Sequence, residues 1–241
     1  MPGAVFYHGP SRLDGQPIVA IATWGTANPK TGALVQTWIV RADTPPTQAA
    51  KQGLDASVCG PCPLRPTNGG GCYVILHQAP RVVYDAWQRG VYPKVGAVGK
   101  RPFLGRGLRY GSYGDPTAVP MKAWAPLRKL CTGRHHSGYT HQWANPRFQG
   151  WRHTLMASTH TIEESIRAWA LGWKTFRILP TTTGLDSKRP DELLCPASQE
   201  GGHRATCETC GCCDAQHRNV AIVAHGQSTA KKASRLSLQL I

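Results

Sequence analysis

The sequence predicts an α/β fold, a parallel sheet wound as a partial or small barrel, preceded by a β-hairpin and followed by a Cys-rich metal site. Three observations carry this. From Leu108 onward short apolar segments alternate with polar or helical ones. One intervening segment has a complete helix signature. The nine cysteines fall into two groups, apart from one.

The hairpin comes first. Residues 17–23 (PIVAIAT) and 34–40 (LVQTWIV) are β-branched and apolar, and Asn28-Pro-Lys-Thr-Gly32 between them is a turn sequence. A short helix is expected over 46–53, and a second over 80–89, opened by Pro80 and closed by Gly90. Six strands follow, at 108–113, 138–143, 153–158, 174–179, 192–196 and 219–224. Between the third and fourth of these, Thr161 and Glu164 form a capping box. Ile162, Ile166, Trp169 and Trp173 recur at helical spacing, and Gly172 can stop the helix. Strand, helix, strand in that compass is a βαβ unit. Another helix is expected after Asp115, with Pro120 near its start and Pro126 as an objection. The chain divides into a hairpin extension (1–54), a barrel-like domain (55–225) and a basic peripheral tail (226–241). In such folds the working residues sit at the C-terminal ends of strands. Asp115, His141, Ser158, Cys195 and His225 occupy such places.

With 241 residues, 41% of them hydrophobic and 17% charged, the chain can bury a core, which argues against global disorder. No apolar run approaches the ~18–20 residues that span a bilayer. The first residues lack the pattern of a secretion signal. A cytoplasmic protein without membrane contact is the expectation.

Lys and Arg number 28 against 13 acids, for a net charge of +15. Between Ala86 and Ile162 the chain has twelve basic residues, among them Arg101, Arg106, Arg109, Lys122 and Arg134, and one acid, Asp115. Tyr110, Tyr113, Tyr139, Trp143 and Trp151 are interleaved. Such a belt suits phosphate contact and base stacking, so nucleic acid is the expected partner. Asp115, among positive charges, is expected to stay ionised and available for work. His135, His136, His153 and His160 lack a metal-binding frame and are expected in the belt or at strand ends. Asp186, Asp191 and Glu192 are expected on a solvated surface.

Cys59, Cys62 and Cys72 form C-x2-C-x9-C; Cys195, Cys207, Cys210 and Cys213 form C-x11-C-x2-C-x2-C, with Cys212 extra and Cys131 alone. Without a secretion signal, close C-x2-C pairs indicate metal rather than disulfides. The compact C-terminal triple and Cys195-Pro196 suit a 4Fe–4S cluster, with structural zinc as the alternative. Three cysteines in the first group would hold a four-iron cluster with one iron open; a zinc site completed by a nearby histidine such as His77, and a site shared by cysteines of both groups, are the other readings.

Cys72-Tyr73, the strand ending in Gly114-Asp115-Pro116 and the C-terminal cysteines together resemble the radical S-adenosylmethionine (SAM) superfamily. The resemblance implies a partial (βα)6-like barrel, a 4Fe–4S cluster on Cys59, Cys62 and Cys72, a SAM site at Gly114, Asp115 and Pro116, and an auxiliary cluster on Cys195 to Cys213. The chain departs from the family in its cysteine spacing, where C-x3-C-x2-C is usual, and in Asp for Glu at the acidic position. The segments GGGCY, GDPTAVP, GYTHQW, LLCPAS and AIVAHG also resemble a group of phage-encoded gene products, which implies a host cytoplasm and supplies no activity. The expected function is an iron–sulfur enzyme acting on nucleic acid or a nucleotide-derived substrate, with Asp115, His141 and His225 as candidate catalytic residues. Two alternatives stand beside it: a zinc-stabilised nucleic-acid-binding protein without catalysis, and a barrel enzyme that modifies a base with Asp115 as nucleophile or base. In every reading, Asp115→Asn is expected to leave folding intact, because Asn also caps helices.

Overall fold

The computed structural model describes residues 2–25, 28–180 and 183–225. The 226–241 tail lies outside the described residues. The fold is mixed α/β, built on one nine-stranded, mostly parallel sheet of order β1-β2-β3-β4-β5-β6-β7-β9-β8. Strands β1 (Gly3–Pro10), β2 (Pro17–Thr23) and β3 (Val35–Arg41) form an antiparallel meander. β2 and β3 are the expected hairpin. β1 is an addition: its sequence is bracketed by Pro2 and Pro10, which an edge strand accepts and a central one would not.

From β3 the pairing turns parallel. β4 (Leu108–Tyr113), β5 (Ser137–Thr140), β6 (Met156–Thr159), β7 (Thr175–Leu179) and β9 (Asn219–Val223) follow side by side, with β8 (Glu192–Leu194) outside β9. All six strands expected after residue 107 form, several of them shorter than expected. The hairpin is not a separate extension in the pairing, because its second strand is the first of the parallel run.

The helices α1 (Pro46–Gln52), α3 (Ala79–Gln88), α4 (Met121–Leu130) and α5 (Ile162–Ala170) match the expected segments. Val83 and Tyr84 of α3, Trp124 and Leu127 of α4 and Ala168 of α5 join one core with the sheet. Helix α4 runs through Pro126, which loses a backbone hydrogen bond and costs about 3 kcal/mol. Full burial of Trp124 and Leu127 on either side, worth about 1.5–3 kcal/mol per large apolar side chain, offsets that. In α5 the Thr161 hydroxyl accepts the Glu164 N–H at 3.2 Å as expected, but the buried positions are Ser165 and Ala168, and Ile166 is exposed.

One acidic expectation is overturned. Glu192 is fully buried and bidentate on Arg177, at 2.7 and 2.6 Å, rather than solvated. Three acids in a loop-rich stretch read as surface; only the pairing of β7, β9 and β8 brings Arg177 within reach of Glu192.

Candidate functional site: two cysteine groups on one cavity

The inner face of the parallel strands lines a cavity of about 870 Å³. Trp38 of β3, Arg109 of β4, Tyr139 of β5, Ser158 of β6, Phe176 of β7 and Val220 of β9 all face it. Both cysteine groups open onto this same cavity.

The first group hangs on the connection leaving β3. Helix α2 (Ala56–Cys59) ends in Cys59, and Cys62 and Cys72 lie on the loop to α3. The loop is tied down by Arg65. Its guanidinium meets Asp55 at 2.6 Å and donates to the carbonyls of Gly53 and Gly60 at 2.7 and 3.2 Å. Gly70 lies so close to the chain at Leu64 that a Cβ there would stand 2.2 Å from the Leu64 Cα, which is why the loop needs glycine there. The Asp115 N–H donates to the Val58 carbonyl at 2.6 Å, joining α2 to the end of β4.

The second group sits elsewhere on the cavity. Cys195 follows β8, and Cys207 and Cys210 lie on α6 (Cys207–Cys210), capped by Thr206. Helix α6 docks on the segment leading into β3: the Cys207 N–H donates to the Lys30 carbonyl at 2.8 Å, and Glu208 accepts the Ala33 N–H at 2.8 Å. Cys213 lies against the Tyr139 phenol. The two groups have different electrostatic neighbours. Cys59 feels Cys62, Cys72, Asp55 and Asp115; Cys207 feels Arg109, Cys195, Lys30 and Cys210. They are therefore two groups on one cavity. Burial pushes the Cys62 thiol up to about 12 and raises Cys59, Cys72, Cys207 and Cys213. Among the described residues no three His, Cys, Asp or Glu side chains form a group that could hold one metal ion. Cys131 is buried in the main core and is not among the residues lining the cavity.

The strand-end residues differ in what they do. Asp115 is buried and heavily bonded. Its Oδ1 accepts from the Thr117 N–H and hydroxyl at 3.0 and 2.7 Å; its Oδ2 accepts from the His141 N–H at 3.0 Å; the Thr140 hydroxyl is 2.9 Å from both oxygens. A carboxylate has about four lone-pair sites, so these donors leave little for a ligand. Burial raises the Asp115 pKa, against the hydrogen bonds, which lower it. The basic residues expected to keep it ionised do not surround it. Asp115 thus serves as an anchor between β4 and β5 rather than as an open charge. Asp115→Asn should consequently cost about 1–3 kcal/mol, because an amide NH2 would face a donor it cannot accept from. A fall in the thermal midpoint measures this; an unchanged midpoint would restore the view of Asp115 as a dispensable cap. Gly114, at φ +84°, lies on the cavity wall where any Cβ would meet Ile39 at 2.8 Å, and Pro116 is buried beneath.

His141 leaves β5 with its Nε2 3.8 Å from the Cys62 Sγ and 3.1 Å from the His160 Nε2, the two rings stacked. Burial and then the neighbouring His160 pull the His141 pKa down to about 3, so the ring is neutral at working pH. His160, expected in the belt or at a strand end, is at a strand end. It follows β6 directly, as Asp115 follows the end of β4. His225 is exposed at the cavity edge, its ring 5.1 Å from that of Tyr73. Tyr73 and Tyr113 place buried phenol groups without partners on the same cavity.

The basic belt is not one surface. Arg101, Lys122 and Arg134 are exposed. Arg106 donates to the carbonyls of Trp24 and Ala33 at 3.1 and 3.0 Å, and Arg109 faces the cavity. Tyr110, Tyr113, Trp143 and Trp151 are buried in the core, so they cannot stack on bases as expected from their spacing. No helix among the described residues is long and apolar enough to cross a membrane.

No protein-family model matches the chain, and no match was found to a curated protein or a solved structure.

Proposed function

We propose that this chain is an iron–sulfur enzyme on a partial (βα)6-like barrel, similar to radical SAM proteins, acting on nucleic acid or a nucleotide-derived substrate. One observation carries the proposal: a three-cysteine loop follows the first strand of a sequentially ordered parallel run and opens on the cavity lined by that run's inner face. The sequential order β3 to β7 supports the barrel winding, as does the cavity along one face.

Eight cysteines lining one cavity support a sulfur-rich group there. Cys59, Cys62 and Cys72 would hold a 4Fe–4S cluster, and Cys195, Cys207, Cys210 and Cys213 a second one or zinc. The unpartnered phenols of Tyr73 and Tyr113 offer donors beside the first group. When bound, such a cluster supplies one-electron chemistry. The chain's own residues orient and exclude water. Asp115 fixes the end of β5 and so aims His141. His141, neutral, can hold or pass a proton at Nε2 toward His160. His225 and Gly114 border the place where SAM would lie. The exposed Arg101, Lys122 and Arg134 would meet phosphate outside the cavity.

The zinc reading keeps one supporting observation. The 3.8 Å from Cys62 Sγ to His141 Nε2 is near the ~3.6 Å between a sulfur and a nitrogen sharing a tetrahedral zinc ion. Anaerobic purification with iron, sulfide and zinc analysis separates the two, followed by calorimetry with SAM. Iron, sulfide and SAM binding are the expected result; stoichiometric zinc without SAM binding would refute the iron–sulfur reading and leave the zinc-stabilised binding protein or base-modifying enzyme.

A further inference from the structure

At the N-terminal end of the parallel strands a row of polar side chains faces the cavity. Gln36 of β3, Arg109 of β4 and Ser137 of β5 are register neighbours, so they stand side by side, and all three line the cavity. Gln36 is already used: its Oε1 accepts the Ser112 hydroxyl at 2.6 Å, and its Nε2 donates to the Leu34 carbonyl at 3.1 Å. Its two neighbours are not. Ser137 is 4% exposed and its hydroxyl has no partner. Arg109 is half-buried and takes part in none of the ion pairs among the described residues. Lys30, also lining the cavity, is likewise in no ion pair. Beside this row stand Tyr139 and Phe176, ring centroids 4.4 Å apart.

A buried hydroxyl without a partner is unfavourable, because it has lost water and gained no acceptor or donor in exchange. A half-buried guanidinium prefers a planar oxyanion in its fork. One oxyanion satisfies both at once. The cavity's buried acid, Asp115, is at the far end of the strands, next to the first cysteine group, and does not compete.

We infer that this end of the cavity is an oxyanion site, in which Arg109 and Ser137, with Lys30 from the side, grip the phosphate or carboxylate of a small ligand whose flat or apolar body lies against Tyr139 and Phe176. The inference deepens the proposed function and rests on it for one point, that the cavity is the substrate chamber. It differs from a purely electrostatic role for Arg109, which also lies near Cys207 and would balance thiolate charge there. A balancing role affects metal retention and creates no anion affinity.

The experiment is calorimetry on the anaerobically purified protein with its metal in place, using phenyl phosphate, benzoate and benzyl alcohol. At least one of the two anions should bind with 1:1 stoichiometry, and benzyl alcohol at least tenfold more weakly; which anion binds tighter identifies the oxyanion. Arg109→Gln should weaken anion binding at least tenfold with metal content and melting unchanged, and Arg109→Lys should recover part of it. Ser137→Ala should weaken binding several-fold without loss of stability, since the hydroxyl has no partner to lose. If Arg109→Gln fails to fold, Ser137→Ala decides. Failure of both anions to bind, equal binding of the alcohol, or unchanged binding in the folded variants would overturn the site. So would metal loss in Arg109→Gln when the wild type binds neither anion, which marks Arg109 as a counter-charge. Absence of SAM binding with anion binding intact would overturn the radical SAM reading alone.

Discussion

Glu192→Ala should destabilise the protein by about 3–5 kcal/mol, the cost of leaving a buried charge without its partner. Both side chains of the Arg177–Glu192 pair are almost inaccessible, and the pair organises its surroundings. Arg177 also donates to the Ser187 carbonyl at 2.7 Å, and Glu192 accepts the Arg189 N–H at 3.0 Å. Removing the carboxylate thus frees the whole 184–192 connection and the short edge strand β8. Against a total stability of roughly 5–15 kcal/mol, such a loss is a large fraction. Glu192→Gln keeps an acceptor and should lose less. The neighbouring surface acid provides the control: Asp191→Ala removes only an exposed pair with Arg189 and should change stability by about 0.5 kcal/mol or less. Urea unfolding of the three variants measures this, and equal midpoints for Glu192→Ala and Asp191→Ala would show that the buried pair contributes nothing.

Ala substitutions in the two cysteine groups should remove metal independently. Cys59→Ala, Cys62→Ala or Cys72→Ala should abolish metal at the first group and spare the second. Cys207→Ala, Cys210→Ala or Cys213→Ala should do the reverse and unfold the C-terminal third, because metal binding at such sites is coupled to folding, at roughly 10–16 kcal/mol for structural zinc. A double variant, Cys62→Ala with Cys210→Ala, should lose both. Loss of all metal in every single variant would instead mean one shared site. Cys131→Ala should retain full metal and lose only the stabilisation of a small buried side chain, about 1 kcal/mol. Elemental analysis and limited proteolysis of residues 192–213 report the two effects separately.

The order of strands and helices was legible in the sequence because it is local. β4 is bounded as its apolar pattern predicts, α5 starts at its Thr161 cap, and the cysteines group in space as they group along the chain. Asp115, His141 and His225 could be placed on one cavity from their positions at strand ends alone. Partners far apart in the chain could not be read. The belt aromatics look like a stacking surface, yet burying a Trp or Tyr is more favourable than exposing it, and the sheet gives Trp143, Trp151 and Tyr110 a core to enter. Asp115 looks like a free charge until β5 brings Thr140 and the His141 N–H to its oxygens. Arg109 looks like one more belt cation until the strand pleat turns it inward beside Ser137. The sequence by itself determined most of the elements, their order and the two cysteine groups, because propensity, capping and spacing act over a few residues. Only the tertiary structure decided which charges are spent and which are open, because desolvation and hydrogen-bond satisfaction depend on residues that meet across strands.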